Sequence, residues 1–443
     1  MSAIEDFREE TKNILKNIVK EPKHERGYFK SIIRSERAIS FPENISSSYI
    51  RAIRILRFQA KNADKVISDD ELENVFDDFL MNFKYEDEAK KLSEIDKHIV
   101  ELFNKIKNMK LEKHIFIIPI MNLSLTQDLI IGNTSIVNLT EQTLVNLESK
   151  YSIKLHFCEE KLSNIVETII EENKTSVYAI TVIEASDDNM ALELAIEKTE
   201  ACLNILRLYN STAPFIVRDE FRNEFIIGIV HSNVNKNSCG RILRSANLIA
   251  NVPTINSEII KRMKEGGLTI IDELLLKNDD NLTSLEKDLL SAILWFGNAV
   301  KEQQKNMKFI KSVIALETLL VPDGGRNKRD TISKRLSSIL YAHDDDDKKR
   351  EVFLNMRSLY EIRNSIIHSG EVYLYDEDIA QVISWAQAII QILLKYSDKS
   401  DNIINLIQNQ FPINESIYSA KHEKNSILIK AYTFLLQIFR WNK

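Results

Sequence analysis

"SLYEIRNSIIHSGE", from Ser358 to Glu371, decides how the C-terminal half of this chain is read. It has the apolar spacing of a packed helix, and Gly370 is a natural helix terminator. Yet its last turns carry Arg363, Asn364 and His368. On a wheel of about 100° per residue, Val352, Met356, Leu359, Tyr360 and Ile367 make one stripe, and Arg363 falls near its middle. A guanidinium on a packed face is costly unless it meets a partner or lines a cleft. The segment "FIKSVIALETLLV" has a matching anomaly: Phe309, Ile310, Val313, Leu316 and Leu320 form its stripe, with Glu317 inside it. Two helices thus each turn one charge inward, of opposite sign, and the plainest reading is a structural Glu317–Arg363 ion pair.

Working outward, five amphipathic segments follow one another from about residue 282: "LTSLEKDLLSAILWFGNAVKEQ", "MKFIKSVIALETLLVP", "DTISKRLSSILY", "KKREVFLNMRSLYEIRNSIIH" and "EDIAQVISWAQAIIQILLKY". Their spacing predicts an antiparallel helical bundle over 282–400, with a helical extension over 401–443 that ends in "NSILIKAYTFLLQIFRW". Upstream, 236–281 reads as a connecting segment with short helices. The 111–235 region is α+β: "KHIFIIPIMNLSL", "LIIGNTSIVNL", "SVYAITVIEA" and "EFIIGIVHS" read as strands, and "SDDNMALELAIEKTEACLNILRLY" as a helix opened by a Ser/Asp cap. Residues 1–110 read as mostly helical and highly charged. The expected fold class is therefore mainly α, with a mixed α/β N-terminal part ahead of the bundle.

Composition sets outer limits. A chain of 443 residues is too long for one ordinary core. With 10 glycines and 7 prolines it has few helix breakers. A net charge of −6 excludes a basic field over the whole protein and leaves room for a local one. Cys158, Cys202 and Cys239 lie far apart, which argues against a disulfide framework or zinc site and fits a reducing cytosol. "MSAIEDFREE" is no signal peptide, and apolar runs such as "IFIIPI" are too short to span a bilayer. A cytoplasmic protein with no membrane partner is expected.

The common catalytic signatures GxxxxGK[ST], HExxH and GxSxG do not occur, and the histidines show no metal-ligand spacing. "HDDDDKK", His343 to Lys349, reads as a solvated loop capping the next helix, with Asp344 to Asp347 as the fallback cation site. Neither metal nor cofactor is expected. "GGRNKRD", Gly324 to Asp330, is flexible and basic, so Arg326, Lys328 and Arg329 are candidate RNA phosphate contacts; an ordinary surface loop is the alternative.

An ion pair leaves His368 unexplained. It lies about 140° round an ideal helix from Arg363, and a frayed or tightened last turn would bring it nearer. Carbonyl groups at a helix C-terminus also favour a positive charge. The set suits metal-independent RNA cleavage: His368 moves the proton of a ribose 2′-hydroxyl or of the leaving oxygen, and Arg363 holds the phosphate. Asn364 bonds a phosphate oxygen or the imidazole, and Glu317 orients Arg363. The spacing alone is weak evidence in a chain with 20 arginines and 8 histidines, but His368 is the one histidine that follows an arginine at this distance.

These residues also resemble a known family. "IALETLL", "KRLSSIL" and "LYEIRNSIIHSGE" look like a HEPN domain, closest to the Apea-like branch of bacterial antiphage proteins, over about 282 to 400. The RxxxxH motif maps onto Arg363, Asn364 and His368, the inward acidic residue onto Glu317, and a third-helix arginine onto Arg335. The resemblance implies a bundle that forms a homodimer, with two motifs in one composite cleft. It further implies an endoribonuclease acting in abortive infection or as a toxin, though some members only bind RNA or a protein. In another branch a modifiable tyrosine stands two residues after the histidine; here Gly370 does. The β-containing region is similar to the sensing half of such proteins, which implies a phage-derived or protein trigger.

Overall fold

The computed structural model describes residues 3–20, 28–34, 37–62, 67–85, 95–151, 166–167, 170–171, 175–210, 216–217, 227–231, 254–322, 324, 327–342, 346–370 and 374–418. Cys158, Cys239, Arg326, His343, Asp344, Asp345 and the terminal helix expected after residue 424 lie outside them. The described chain is mainly helical with antiparallel sheet. Among the described residues no helix is long and apolar enough to cross a membrane.

The N-terminal unit begins with α1 (Ala3–Asn17) and strands β1 (Val19–Lys20), β2 (Tyr28–Arg34) and β3 (Arg37–Pro42). Helices α2 (Ser46–Asn62), α3 (Asp69–Tyr85) and α4 (Ile95–Lys107) complete it. The described part of this region is mostly helical, and the strands add a small antiparallel sheet in the order β1–β3–β2 that the sequence reading does not include. Ile39, Ser40 and Phe41 of β3 are all fully buried. Phe7, Ile14, Phe41, Leu56 and Phe76 belong to one core. Lys30 pins the hairpin to the helices, reaching Tyr49 Oη and Glu73 at 2.7 Å and Asp77 at 2.9 Å.

The second unit is built on β4 (Glu112–Met121). After it come β5 (Ser124–Leu125), β6 (Leu129–Ile131), β7 (Thr134–Asn138), α5 (Glu141–Tyr151), β8 (Val177–Ala185), α6 (Asp188–Tyr209), β9 (Ile216–Val217), β10 (Ile227–His231) and β11 (Thr254–Ile255). The main sheet runs β10–β4–β8–β7–β6, all antiparallel, with β9 also on β4. From Ile115 to Met121 every β4 residue is buried. Alternation divides them: Ile115 and Ile117 face a small core under α5, while Phe116, Ile118 and Ile120 join the largest core among the described residues. Asp187 caps α6 by accepting from Met190 N at 3.0 Å, and also accepts from Ser68 N of the N-terminal unit at 3.0 Å.

Helices α7 (Ser257–Met263) and α8 (Thr269–Leu276) lead into the bundle through a wide turn where Gly267 has φ +105°. The bundle comprises α9 (Ser284–Lys301), α10 (Lys305–Leu320), α11 (Lys328–Leu340), α12 (Asp346–Ser369), α13 (Asp376–Leu394) and the short α14 (Ile403–Gln410). The first five match the five amphipathic segments. α9 packs on α10, α11 on α12, and α13 against α9, α10 and α11. Sheet and bundle share one core, continuous from Phe116 and Ile118 through Leu203 and Leu206 of α6 to Phe296, Leu316 and Met356.

Two features set the entry to the bundle. The α6–α9 crossing is so close that a Cβ on Gly297 would lie 2.3 Å from both Cβ and Oδ1 of Asn204. α9 opens with a reciprocal Thr283–Glu286 cap, and Lys277 Nζ adds a 2.6 Å bond to Glu286. Burial opposes the charged form of Glu286, but Lys277 and the Thr283 N–H outweigh it and hold its carboxyl below the usual carboxylate range.

Gly297→Ala is expected to lower stability by about 1–3 kcal/mol, measured by thermal unfolding. Asn204→Ala should not rescue it, because the Asn204 Cβ is itself one of the colliding atoms. Glu286→Ala should cost about 1–2 kcal/mol at neutral pH. A carboxyl depressed in the folded state stabilises above its unfolded value, near about 4.3, and that contribution is lost as pH falls through the folded value. Denaturation curves of wild type and Glu286→Ala should therefore converge at acid pH.

Candidate functional site

The C-terminal end of α10 and the C-terminal half of α12 meet through their inward charges. Arg363 Nη2 donates to Glu317 Oε2 at 3.2 Å, with the two side chains 20% and 13% exposed. Tyr360, one turn earlier on α12, donates its hydroxyl to the other Glu317 oxygen, Oε1, at 2.5 Å. The Arg363 guanidinium carbon lies 5.4 Å from the centroid of the Tyr360 ring. Arg363 Nη1 donates to Asn364 Oδ1 at 3.2 Å, while its Nε is buried with no hydrogen-bond partner among the described residues. Burial, followed by the bond to Glu317, pushes the Tyr360 hydroxyl well above the usual phenol range, so it stays protonated and donates.

A cleft of about 330 Å³ opens beside this pair, lined by Asn327 to Asp330 at the start of α11 and by Tyr360, Glu361 and Asn364 of α12. The start of α11 is entered at Asn327, which has φ +63°. Asn364, Lys328 and Arg329 thus share one cleft. Arg329 is not a free cation: it pairs with Glu361, and its Nε lies 3.1 Å from Asp330 Oδ1. Asp330 also accepts from Arg357 Nε at 3.0 Å. Arg335 points elsewhere, donating through Nη1 to the Leu320 carbonyl at 2.5 Å, where it caps the end of α10. Its position on α11 is therefore occupied by a structural bond.

His368 sits apart from Arg363. α12 stays regular to Ser369: Gly370 N donates to Ile366 O at 2.9 Å, the ordinary four-residue step, and Gly370 then leaves with φ +76°. The last turn is neither frayed nor tightened, so the two side chains keep their separation around the helix. His368 is exposed, with no hydrogen-bond or ion-pair partner among the described residues. The apolar stripe is corrected as well: Ile366 is 6% exposed and Ile367 is 48% exposed. Phe353, also buried, belongs to the stripe and was not placed there from the sequence.

By its spacing Tyr360 belongs to the core stripe, and the sequence does not mark Glu361, Asp330 or Arg357 for this site. A signal for Tyr360 existed, since three residues before Arg363 on a helix is the same face. Asp346 and Asp347 lie in the first turn of α12. Among the described residues no group of three or more His, Cys, Asp or Glu is arranged to hold a metal ion. Cys202 is buried in the large core, and burial pushes its thiol up to about 11. No family model, curated protein or solved structure matches the chain.

Glu317→Ala strands both Arg363 and the Tyr360 hydroxyl, and should cost about 1–3 kcal/mol of stability. Arg363→Ala should cost less, because Glu317 keeps Tyr360. A double-mutant cycle read by denaturant unfolding should show favourable coupling between positions 317 and 363.

Proposed function

We propose that this chain is a metal-independent endoribonuclease of the HEPN type, acting in antiphage defence or as a toxin, with the N-terminal regions sensing or regulating it. The observation that carries the reading is the Arg363 guanidinium, held on the packed face of α12 with Glu317 and Asn364 against it and a polar cleft alongside. Arg363 grips the phosphate, Asn364 bonds a phosphate oxygen, and Lys328 and Arg329 steer the RNA backbone into the cleft. His368 moves the proton between ribose 2′-hydroxyl and leaving oxygen.

The regular end of α12 makes a second copy part of this reading. Arg363 and His368 of one chain point to different sides of the helix, so two bundles meeting around a two-fold axis would set the histidine of one copy beside the arginine of its mate. Exposed Ile367, next to His368, supplies an apolar contact for that mate. A non-catalytic scaffold that binds RNA or a protein is the second reading. It is favoured by the balance of charge, since Arg329 in the cleft lining and Arg363 beside it each already face a carboxylate.

His368→Ala and Arg363→Ala should each abolish cleavage of total RNA and cellular toxicity while circular dichroism stays that of a folded protein. Cleavage should survive EDTA and leave 2′,3′-cyclic phosphate or 3′-phosphate ends, because the nucleophile is internal to the RNA. Mixing the two variants should restore part of the activity, since each mixed dimer holds one intact copy of both residues. Full activity in His368→Ala would remove the histidine from the mechanism and leave the scaffold.

A further inference from the structure

Tyr360 is buried like its core neighbours, but its hydroxyl has a role the stripe does not need. A carboxylate with both oxygens open commonly takes an arginine in a two-point fork. Here Tyr360 occupies Glu317 Oε1, and Arg363 meets Oε2 through Nη2 alone at 3.2 Å. That is longer than the roughly 2.7–2.9 Å of a strong charge-assisted bond. Nη1 is engaged only with the neutral Asn364 amide oxygen, and Nε has no partner among the described residues. The aromatic ring lies against the guanidinium and limits how far it can swing. Arg363 is thus oriented by Glu317 without being fully spent on it.

We infer that Tyr360 is a positioning residue: its hydroxyl restrains the Glu317 carboxylate from pairing with Arg363 at two points, so that the guanidinium keeps donors for an RNA phosphate. This rests on the reading of Arg363 as the phosphate-gripping group. Without the hydroxyl, the carboxylate is free to rotate and take the arginine in a fork, and the phosphate must then compete with a closed ion pair. A tyrosine kept only for its ring would behave differently, because phenylalanine would replace it at no cost to binding or cleavage.

The test compares the full-length wild type, Tyr360→Phe, and Tyr360→Phe combined with Glu317→Gln. Two readouts are taken: single-turnover RNA cleavage, and anisotropy of a labelled oligonucleotide whose 2′-deoxy sugars prevent cleavage. Thermal unfolding of each variant checks that it is folded. Tyr360→Phe should slow cleavage and weaken oligonucleotide binding by about tenfold each, as expected for losing a positioned donor to phosphate. Adding Glu317→Gln should then improve both relative to Tyr360→Phe alone, because a neutral amide cannot neutralise Arg363. That gain on a second substitution is a result a packing role does not produce. Tyr360→Phe with wild-type rate and binding, or a double variant no better than the single, overturns the inference. A wild-type chain that binds the oligonucleotide but cleaves no RNA defeats the catalytic reading alone, and the binding series still decides the role of Tyr360. A wild-type chain that binds no oligonucleotide overturns both.

Discussion

The burial of β4 on both faces is the constraint around which the rest is arranged. A strand whose residues from Ile115 to Met121 are all inaccessible must be covered twice. α5 covers one face, and α6 covers the other together with the bundle beyond it. This is why the bundle does not stand as a separate body behind a linker. Its first helix is pressed against α6 so closely that position 297 has no room for a side chain. The bundle then inherits the rigidity of the sheet, and α10 and α12 are presented from a packed base.

On that base the local electrostatics are nearly balanced. Glu317 is shared between a tyrosine hydroxyl and an arginine; Asp330 lies between Arg329 and Arg357; Glu361 answers Arg329. Partly buried charges need such partners to be tolerated. The result is a cleft whose cations are ordered but not strongly electropositive as a set. An anionic ligand would gain from geometry more than from long-range attraction, which agrees with the net charge of −6.

The sequence was legible where one period held over many residues. The five bundle helices, the β4 and β8 strands and the inward positions of Glu317 and Arg363 all follow from apolar spacing. It was less legible where a chain end or a partner decides. Ile366 and Ile367 are adjacent and equally apolar, and only the neighbours around the end of α12 determine which is covered. The β2–β3 hairpin was hidden by its charged flanks in a region dominated by helical spacing. Arg335 illustrates a different limit: a family resemblance gives it a place on α11, but the bond it makes to the carbonyl end of α10 is not written in the sequence. The Tyr360 hydroxyl was invisible for a similar reason, since a wheel assigns a face but does not assign hydrogen bonds.

The N-terminal unit closes a core of its own around Phe7, Phe41 and Phe76, apart from the large one. Its junction with the sheet includes a polar link, the Ser68 N–H donated to Asp187. Apolar burial is what makes unfolding cooperative, and here it is partitioned rather than shared. Among the described residues the apolar cores follow that division, so a strain applied to the N-terminal unit would act first on the packing around Phe7, Phe41 and Phe76.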